Sequence, residues 1–184
     1  MNLAIEHKFD SVAYRIAKTD FILRAITGAK KFYLQKNLVS IYLMKYSVIL
    51  NDVNNYLLKE FNYKRPFAVF GLNENLIYAR QKRVDLYLRF FEQGDIRKHA
   101  TIIIARIGFA KTRNGKGKHL MRFLLNLAIT HKYEFIELEC CNEDSAGFAK
   151  AIGFYPLDSK GLNWRIGIRE LHQYYTKFHK ELKN

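Results

Sequence analysis

The sequence predicts a mixed sheet of the α/β or α+β class, because strand and helix patterns alternate through its second half. β-Branched and apolar residues at 101–109 predict a strand, and apolar residues at helical spacing follow it. A strand pattern at 135–140 precedes a short helix that should end at Gly153, then two short strands and a closing helix from Glu170. We predict a single domain over residues 1–184, mainly helical to residue 65 and built on a sheet core over 66–184.

The first 65 residues read as helical. Asp10 or Ser11 could cap a helix that extends to about residue 23, and residues 29–31 resemble a break or a solvated turn. Apolar residues recur at helical spacing over 37–61, which predicts either one long helix or two short ones. Pro66 should close this region, since proline restricts both itself and the preceding residue.

A hairpin is predicted next. Residues 67–72 and 76–80 read as strands, and the polar residues 73–75 form the turn between them. The pattern at 84–91 fits a strand or a helix, and Gly94 interrupts it.

The chain is strongly basic, with a formal net charge of +14 and a pI of about 9.8. Such a charge attracts nucleic acid, an acidic cofactor or an acidic protein surface, although a generally basic protein would show it as well. Basic clusters at 64–66, 80–83 and 97–99, and the lysines at 177, 180 and 183, could bind RNA or DNA with the nearby aromatic residues. The alternative for each cluster, and the commoner origin of such charge, is an ordinary solvated face.

The two cysteines predict neither a disulfide framework nor a metal site. Cys140 and Cys141 are adjacent, which fits no zinc spacing, so we expect two buried free thiols and a reducing, cytoplasmic location. The first eight residues lack the apolar core of a signal peptide. The apolar stretch at 38–50 is interrupted by Lys45 and is too short to span a bilayer, so no membrane partner is predicted.

The segment between the strand at 101–109 and the next helix is basic and contains two glycines, Gly115 and Gly117. A strand, a glycine turn and a helix together direct backbone N–H groups and a helix amino end toward an anion. Glycine allows positive φ and close approach of a ligand to the backbone. The alternative is a basic turn that is solvated or contacts nucleic acid.

Residues 101–156 resemble the GCN5-related N-acetyltransferase (GNAT) superfamily in two ordered motifs. Gly115 and Gly117 match the small positions of the family's pyrophosphate loop, and the helix after them carries Leu120, Met121 and Ala128 at the matching positions. The second motif is an asparagine at a strand end, a small residue three positions later, and a helix that ends in Gly-Phe. It is matched by Asn142, Ser145, Phe148, Gly153 and Phe154.

The resemblance implies a mostly antiparallel central sheet flanked by helices, with acetyl-CoA or another acyl-CoA held between two splayed central strands. The pyrophosphate would lie on the amides of residues 113–118, and the pantetheine arm would pair with the preceding strand. The cofactor-binding residues that it implies are Ile107, Gly108, Phe109, Thr112, Arg113, Asn114, Gly115, Lys116, Gly117, Lys118, His119, Asn142 and Phe148.

The chain departs from the family pattern at two positions that matter for chemistry. Thr112 stands where the loop usually has glutamine or arginine, although a shifted register would place Asn114 there. Ala149 stands where many members have the tyrosine that protonates the leaving thiolate, so chemistry through that tyrosine is ruled out. Ser145 and Tyr155 are the substitute catalytic candidates, with a helix cap and a strand residue as their structural alternatives.

Other titratable groups give no acid–base pair. Glu137 and Glu139 should share one face of a strand, and the cysteines could lie near the acyl group, but spacing assigns none of them a role.

The resemblance and the charge together predict an acyl-CoA-dependent N-acyltransferase that acts on an amine of a macromolecular, nucleic-acid-associated acceptor. The acceptor could be the aminoacyl amine of a charged transfer RNA, as in the toxin branch of the family, a base, or a protein bound to nucleic acid. The alternative is a non-catalytic GNAT-fold protein that binds nucleic acid. The acyl chain and the oligomeric state stay open.

Overall fold

The computed structural model describes residues 28–94 and 97–181. The helix expected between residues 10 and 23 lies outside these residues. In chain order the elements are α1 (Gly28–Phe61), β1 (Val69–Phe70), β2 (Leu76–Gln81), β3 (Val84–Phe91), β4 (Thr101–Phe109), α2 (Lys116–His131), β5 (Phe135–Leu138), α3 (Glu143–Ile152), β6 (Tyr155–Pro156), β7 (Trp164–Gly167) and α4 (Ile168–Glu181).

Helix α1 is a single helix of 34 residues, which decides between the one-helix and two-helix predictions. Residues 29–31 lie inside it, so the expected break there is wrong. The reason is that alanine and lysine are good helix formers and no proline or second glycine follows Gly28. Tyr46, Ile49, Val53 and Leu57 recur at helical spacing and are fully buried, so this stripe is core.

The described strands form one sheet in the order β1-β2-β3-β4-β5-β7-β6. Only β4 and β5 are parallel, and α2 makes the crossover between them. The prediction of a mixed, mostly antiparallel sheet flanked by helices is therefore confirmed. Residues 84–91 are a strand, and their alternation of buried and half-buried side chains is typical of one. The first strand of the predicted hairpin is shorter than expected, with only two paired residues.

The two faces of the sheet differ in chemistry. One face carries the apolar residues of β2 to β5 and β7, which form a continuous core with side chains from α1, α2 and α4. On the other face the register aligns Arg89, Ile103, Glu137 and Arg165 across four strands. Glu137 is only 1% exposed there and accepts from Arg97 and Arg165, so its buried charge is compensated.

The cysteines differ in exposure. Cys141 is buried as expected, but Cys140 is exposed, so the prediction of two core thiols is wrong for Cys140. Because β5 ends at Leu138 and Cys140 has φ 51°, the chain turns away from the sheet at this point and the extended pattern stops. Among the described helices, none combines the length and apolarity needed to cross a membrane.

Candidate functional site

A gap opens between the two parallel strands in the middle of the sheet. Pairing of β4 with β5 ends at Ile104↔Leu138, although β4 continues to Phe109 along β3. The register against β3 moves from Leu88↔Ile104 to Tyr87↔Arg106, which leaves Ala105 as an extra residue. Such a bulge bends and twists a strand, so Ala105 is the local cause of the divergence of β4 from β5.

The open edge of β4 offers backbone groups to a ligand. Ala110 N–H donates to the Arg83 carbonyl at 3.1 Å, on the β3 side. Because successive residues of a strand direct their amide groups to alternate edges, Gly108 faces β3 and the amide groups of Ile107 and Phe109 face the gap. Ile107 and Phe109, two of the three residues predicted to pair with pantetheine, thus direct backbone groups into the gap.

The loop after β4 leads directly to the amino end of α2. Arg113 has φ 57° and Gly115 has φ 82°, both in the left-handed region, and Gly115 is the N-cap residue. Gly115 itself offers no side-chain cap, and Asn114 Oδ1 accepts from the Lys116 N–H at 3.4 Å. Left-handed residues beside a helix amino end form a nest of N–H donors, which suits an anion. Lys111, Thr112, Arg113, Asn114 and Lys118 are exposed around it.

Glu60 on α1 binds two basic side chains that the family resemblance assigns to the cofactor. Glu60 accepts from Lys116 Nζ at 2.6 Å and from His119 Nδ1 at 2.9 Å. Burial raises the pKa of Glu60, but the hydrogen bonds and charges of Lys116 and His119 outweigh it and leave the pKa below its usual value. These contacts attach the end of α1 to the loop and partly neutralise it.

Gly117 is explained by packing against α3. A Cβ atom at this position would lie 2.9 Å from Cε2 and Cζ of Phe148. Phe148 is half-buried against the core, so it fills the space that the glycine leaves. The glycine therefore allows α3 to approach the amino end of α2.

Asn142 and Ser145 form a cap at the amino end of α3. Asn142 Oδ1 accepts from the Ser145 backbone at 2.9 Å and from Ser145 Oγ at 2.8 Å. The neighbouring Cys141 thiol has a raised pKa because it is buried, so it is a thiol rather than a thiolate at neutral pH. Ala149 is fully buried, and no hydroxyl occupies its position.

Tyr155 lies on β6, the edge strand, and β7 and β5 separate it from the gap. Tyr155 is 48% exposed and is paired with Arg165 in the strand register. Phe148 of α3 thus packs against Gly117 of α2, and Asn142 and Ser145 lie at the amino end of α3. Tyr155, on the edge strand, lies apart from these residues.

The sequence reasoning missed Glu60 and the bulge at Ala105. Glu60 lies 56 residues before Lys116, and no local pattern connects the two. Ala105 gives no signal either, because bulges are set by strand register. No cluster of three or more histidine, cysteine or acidic side chains that could hold a metal occurs among the described residues.

Comparison with protein-family models gives no match, and neither does comparison with curated proteins. Solved structures do match. The AtaT–AtaR complex bound to DNA is 15% identical, with a TM-score of 0.41, over 55% of this chain and 74% of that one. A mutant AtaT toxin bound to the C-terminus of the antitoxin AtaR and acetyl-CoA is 18% identical, with a TM-score of 0.41, over 55% and 70%. AtaT complexed with acetyl-methionyl-tRNAfMet is 13% identical, with a TM-score of 0.39, over 54% and 73%.

Proposed function

We propose that this protein is an acyl-CoA-dependent N-acyltransferase, with acetyl-CoA as the acyl donor. The observation that carries the proposal is the continuity of one surface. The open edge of β4 leads into a loop with two left-handed residues, which ends at the amino end of α2. A ligand with an amide-bearing arm and a diphosphate fits that surface from end to end.

Each part of the coenzyme can be assigned to a region of this surface. The diphosphate would accept from the amides at the start of α2, with Lys111, Arg113 and Lys118 supplying positive charge. The amides of the pantetheine arm would pair with Ile107 and Phe109 along the free edge of β4. The thioester would then lie near the bulge at Ala105, and Phe148 and Asn142 would flank the arm from α3.

The transfer step needs an amine, a thioester and a proton path. The neutral amine attacks the thioester carbon, the C–S bond breaks, and the amine proton leaves through water while the thiolate is protonated. Ser145 is the better placed of the two candidate acids, because Tyr155 lies on the edge strand. With Ala149 in place of a tyrosine, most of the acceleration would come from proximity and orientation.

The acceptor that we propose is an amine on a nucleic-acid-associated macromolecule. The net charge of +14 supports a polyanionic partner. An acidic protein surface is the remaining alternative for the acceptor.

Calorimetric titration with acetyl-CoA at low and high salt tests the proposal. The informative variant is Arg113→Asn, because asparagine tolerates the left-handed conformation of Arg113 while it removes the charge. Lys132→Asn is the matched control: Lys132 is also left-handed, with φ 62°, and lies at the opposite end of α2. We expect saturable binding that Arg113→Asn weakens about tenfold, equivalent to about 1.4 kcal/mol, and that the control leaves unchanged. Absence of binding at either salt would overturn the transferase proposal.

A non-catalytic nucleic-acid-binding protein is the second candidate. Two observations favour it: Ala149 removes the usual acid, and Glu60 holds two of the loop's basic side chains. Salt-dependent binding of nucleic acid without measurable acetyl-CoA affinity would favour this candidate.

A further inference from the structure

Three segments that are distant in sequence form one end of the molecule. Arg83 Nη1 donates to the Phe61 carbonyl at 2.7 Å, and the Arg83 carbonyl accepts from Ala110 N–H. Lys116 Nζ donates to Glu60. These contacts join residues 59–66, 80–85 and 106–118, which together are called the basic end below.

The basic end concentrates the positive charge of the chain. It contains the carboxylates of Glu60 and Asp85 and eleven basic residues: Lys59, Lys64, Arg65, Arg80, Lys82, Arg83, Arg106, Lys111, Arg113, Lys116 and Lys118. By contrast, the cluster at 97–99 lies at the start of β4. Residues 101–105 of that strand separate it from Arg106, the first residue of the basic end on β4, by about 20 Å.

Most of this charge is not neutralised within the protein. Glu60 pairs with Lys116, and Asp85 lies 3.6 Å from Arg80 and 3.7 Å from Arg106. At the basic end, the exposed basic residues with no carboxylate within ion-pair distance among residues 28–94 and 97–181 are Lys59, Lys64, Arg65, Lys82, Arg83, Lys111 and Arg113. The diphosphate and 3′-phosphate of one coenzyme A carry about four negative charges, so the basic end has positive charge left for a second polyanion.

A cleft lies at the basic end. It has a volume of about 470 Å³ and lies between the β2–β3 turn and the end of β4, with Arg80, Lys82 and Gly108 in its lining beside the carboxylate of Asp85. Gly108 is next to Ile107 and Phe109, whose amide groups face the gap. A chain in the cleft would thus pass beside the open edge of β4.

An aromatic pair lies on the sheet face next to the cleft. The rings of Tyr78 and Tyr87 stack with centroids 4.1 Å apart, and Arg80 and Arg89 follow on the same strands at the same face. Burial, and then the hydroxyl of Tyr78, raise the pKa of Tyr87 to about 12, so the Tyr87 hydroxyl carries no negative charge at neutral pH. Stacked rings beside arginines suit unpaired bases, which duplex DNA does not offer.

We infer that the cleft binds the sugar-phosphate backbone of a single-stranded nucleic acid through Arg80 and Lys82, with the Tyr78–Tyr87 pair as a platform for bases. This inference adds a binding surface for the acceptor to the proposed function. It rests on the proposed function only where it treats the bound nucleic-acid strand as the carrier of the acceptor amine. The acceptor and the coenzyme then share one basic end, and the strand leads the amine toward the gap.

Fluorescence anisotropy with labelled 12-nucleotide oligouridylate and oligothymidylate tests the inference. The double variant Arg80→Gln/Lys82→Gln removes two charges from the cleft. The control Lys98→Gln/Lys160→Gln removes two exposed charges outside the basic end. Both variants have the same net charge, so a difference between them reports position. We expect the cleft variant to weaken binding at least tenfold at low salt and to flatten the salt dependence, and the control to stay within twofold of the unaltered protein. The two oligonucleotides distinguish RNA from DNA.

Four results would overturn the inference: no oligonucleotide binding at low salt, equal losses in the two variants, a preference for duplex over single strands, or equally tight binding of polyglutamate. Titration of both variants with acetyl-CoA separates this inference from the proposed function. Oligonucleotide binding in the cleft without acetyl-CoA binding would reject the transferase proposal and support the nucleic-acid surface. Acetyl-CoA binding without oligonucleotide binding would reject the nucleic-acid surface and support the transferase proposal.

Discussion

At the level of single residues, Asn54 joins the long helix to the start of the sheet. Its side chain is buried, accepts from the backbone of Phe67 at 2.9 Å and of Ala68 at 2.8 Å, and donates to the Ala68 carbonyl at 3.1 Å. These contacts satisfy backbone groups that have left α1 and not yet entered β1.

We predict that Asn54→Ala lowers the free energy of unfolding by about 3 kcal/mol, because the buried N–H of Ala68 and the partly buried N–H of Phe67 lose their acceptor. Urea denaturation measures the change. The neighbouring exposed Asn55→Ala should change stability by no more than about 0.5 kcal/mol. Equal effects at the two positions would contradict the role given to Asn54.

Glu92 is a second polar junction. Its Oε1 accepts from Lys45 Nζ at 2.7 Å and from the hydroxyls of Tyr46 and Tyr133 at 2.9 Å each. Burial raises the pKa of Glu92, but these hydrogen bonds and the Lys45 charge outweigh it, so the pKa lies below its ordinary value of 4.5. The contribution of this carboxylate to stability is therefore complete above pH 4.5 and is lost as the pH falls through its folded pKa.

Glu92→Gln should lower stability at pH 7 by about 1–2 kcal/mol and should reduce the loss of stability on acidification below pH 4.5. Thermal denaturation at pH 7, 5, 4 and 3 would show a shallower decline in the variant than in the unaltered protein. The exposed Glu143→Gln is the control for loss of one negative charge. A parallel decline for the unaltered protein and Glu92→Gln would contradict this assignment.

At the level of elements, the contact of α2 with α3 depends on Gly117 and Phe148. Glycine is a poor helix former, so replacement by alanine at an open helical position should stabilise by up to about 1 kcal/mol. Here the new Cβ would lie 2.9 Å from the Phe148 ring, which must then move. Packing and helix propensity therefore have opposite effects at this position.

We predict that Gly117→Ala destabilises the unaltered protein and is neutral or stabilising when Phe148 is already alanine. Urea denaturation of the two single variants and the double variant gives the coupling energy, for which we expect a value of about 1 kcal/mol or more. The same effect of Gly117→Ala in both backgrounds would show that the ring does not require the glycine.

Most elements could be predicted, and the bounds of α3 were the best predicted part, whereas the start of α1 at Gly28 was not predicted. Asn142 caps α3, Gly153 ends it in the left-handed region, and Leu120, Met121 and Ala128 are buried as the helical spacing required. Short strands were less predictable, because two paired residues such as Tyr155 and Pro156 are fixed by their partner strand rather than by their own pattern.

At the level of the whole molecule, the distribution of charge has a consequence for stability. Like charges at the basic end repel one another, and a surface kept for a polyanion is expected to reduce the stability of the free protein. Lys82, exposed on the β2–β3 turn between Arg80 and Arg83, is a suitable position to test this.

Lys82→Gln should raise the unfolding temperature by about 1 °C at low salt. The gain should disappear at 1 M salt, where the Debye length is only about 3 Å and the repulsion between these charges is screened. Lys98→Gln, at the opposite end of β4, is the control and should give no such gain. Differential scanning calorimetry at the two salt concentrations measures both. A gain that persists at 1 M salt would mean that the effect is not electrostatic.

Local rules were sufficient for α2, α3, β4 and the glycine loop, because periodicity, caps and positive-φ glycines act over a few residues. They left residues 84–91 open between strand and helix and placed a break inside α1. The tertiary structure alone decided the features that make a site. Ala105 opens the gap through the register of β3 against β4, and Glu60 contacts Lys116 and His119 across 56 and 59 residues. The basic end likewise joins three separate segments. Such contacts depend on how the elements pack, and packing is determined by all the elements together rather than by any one stretch of sequence.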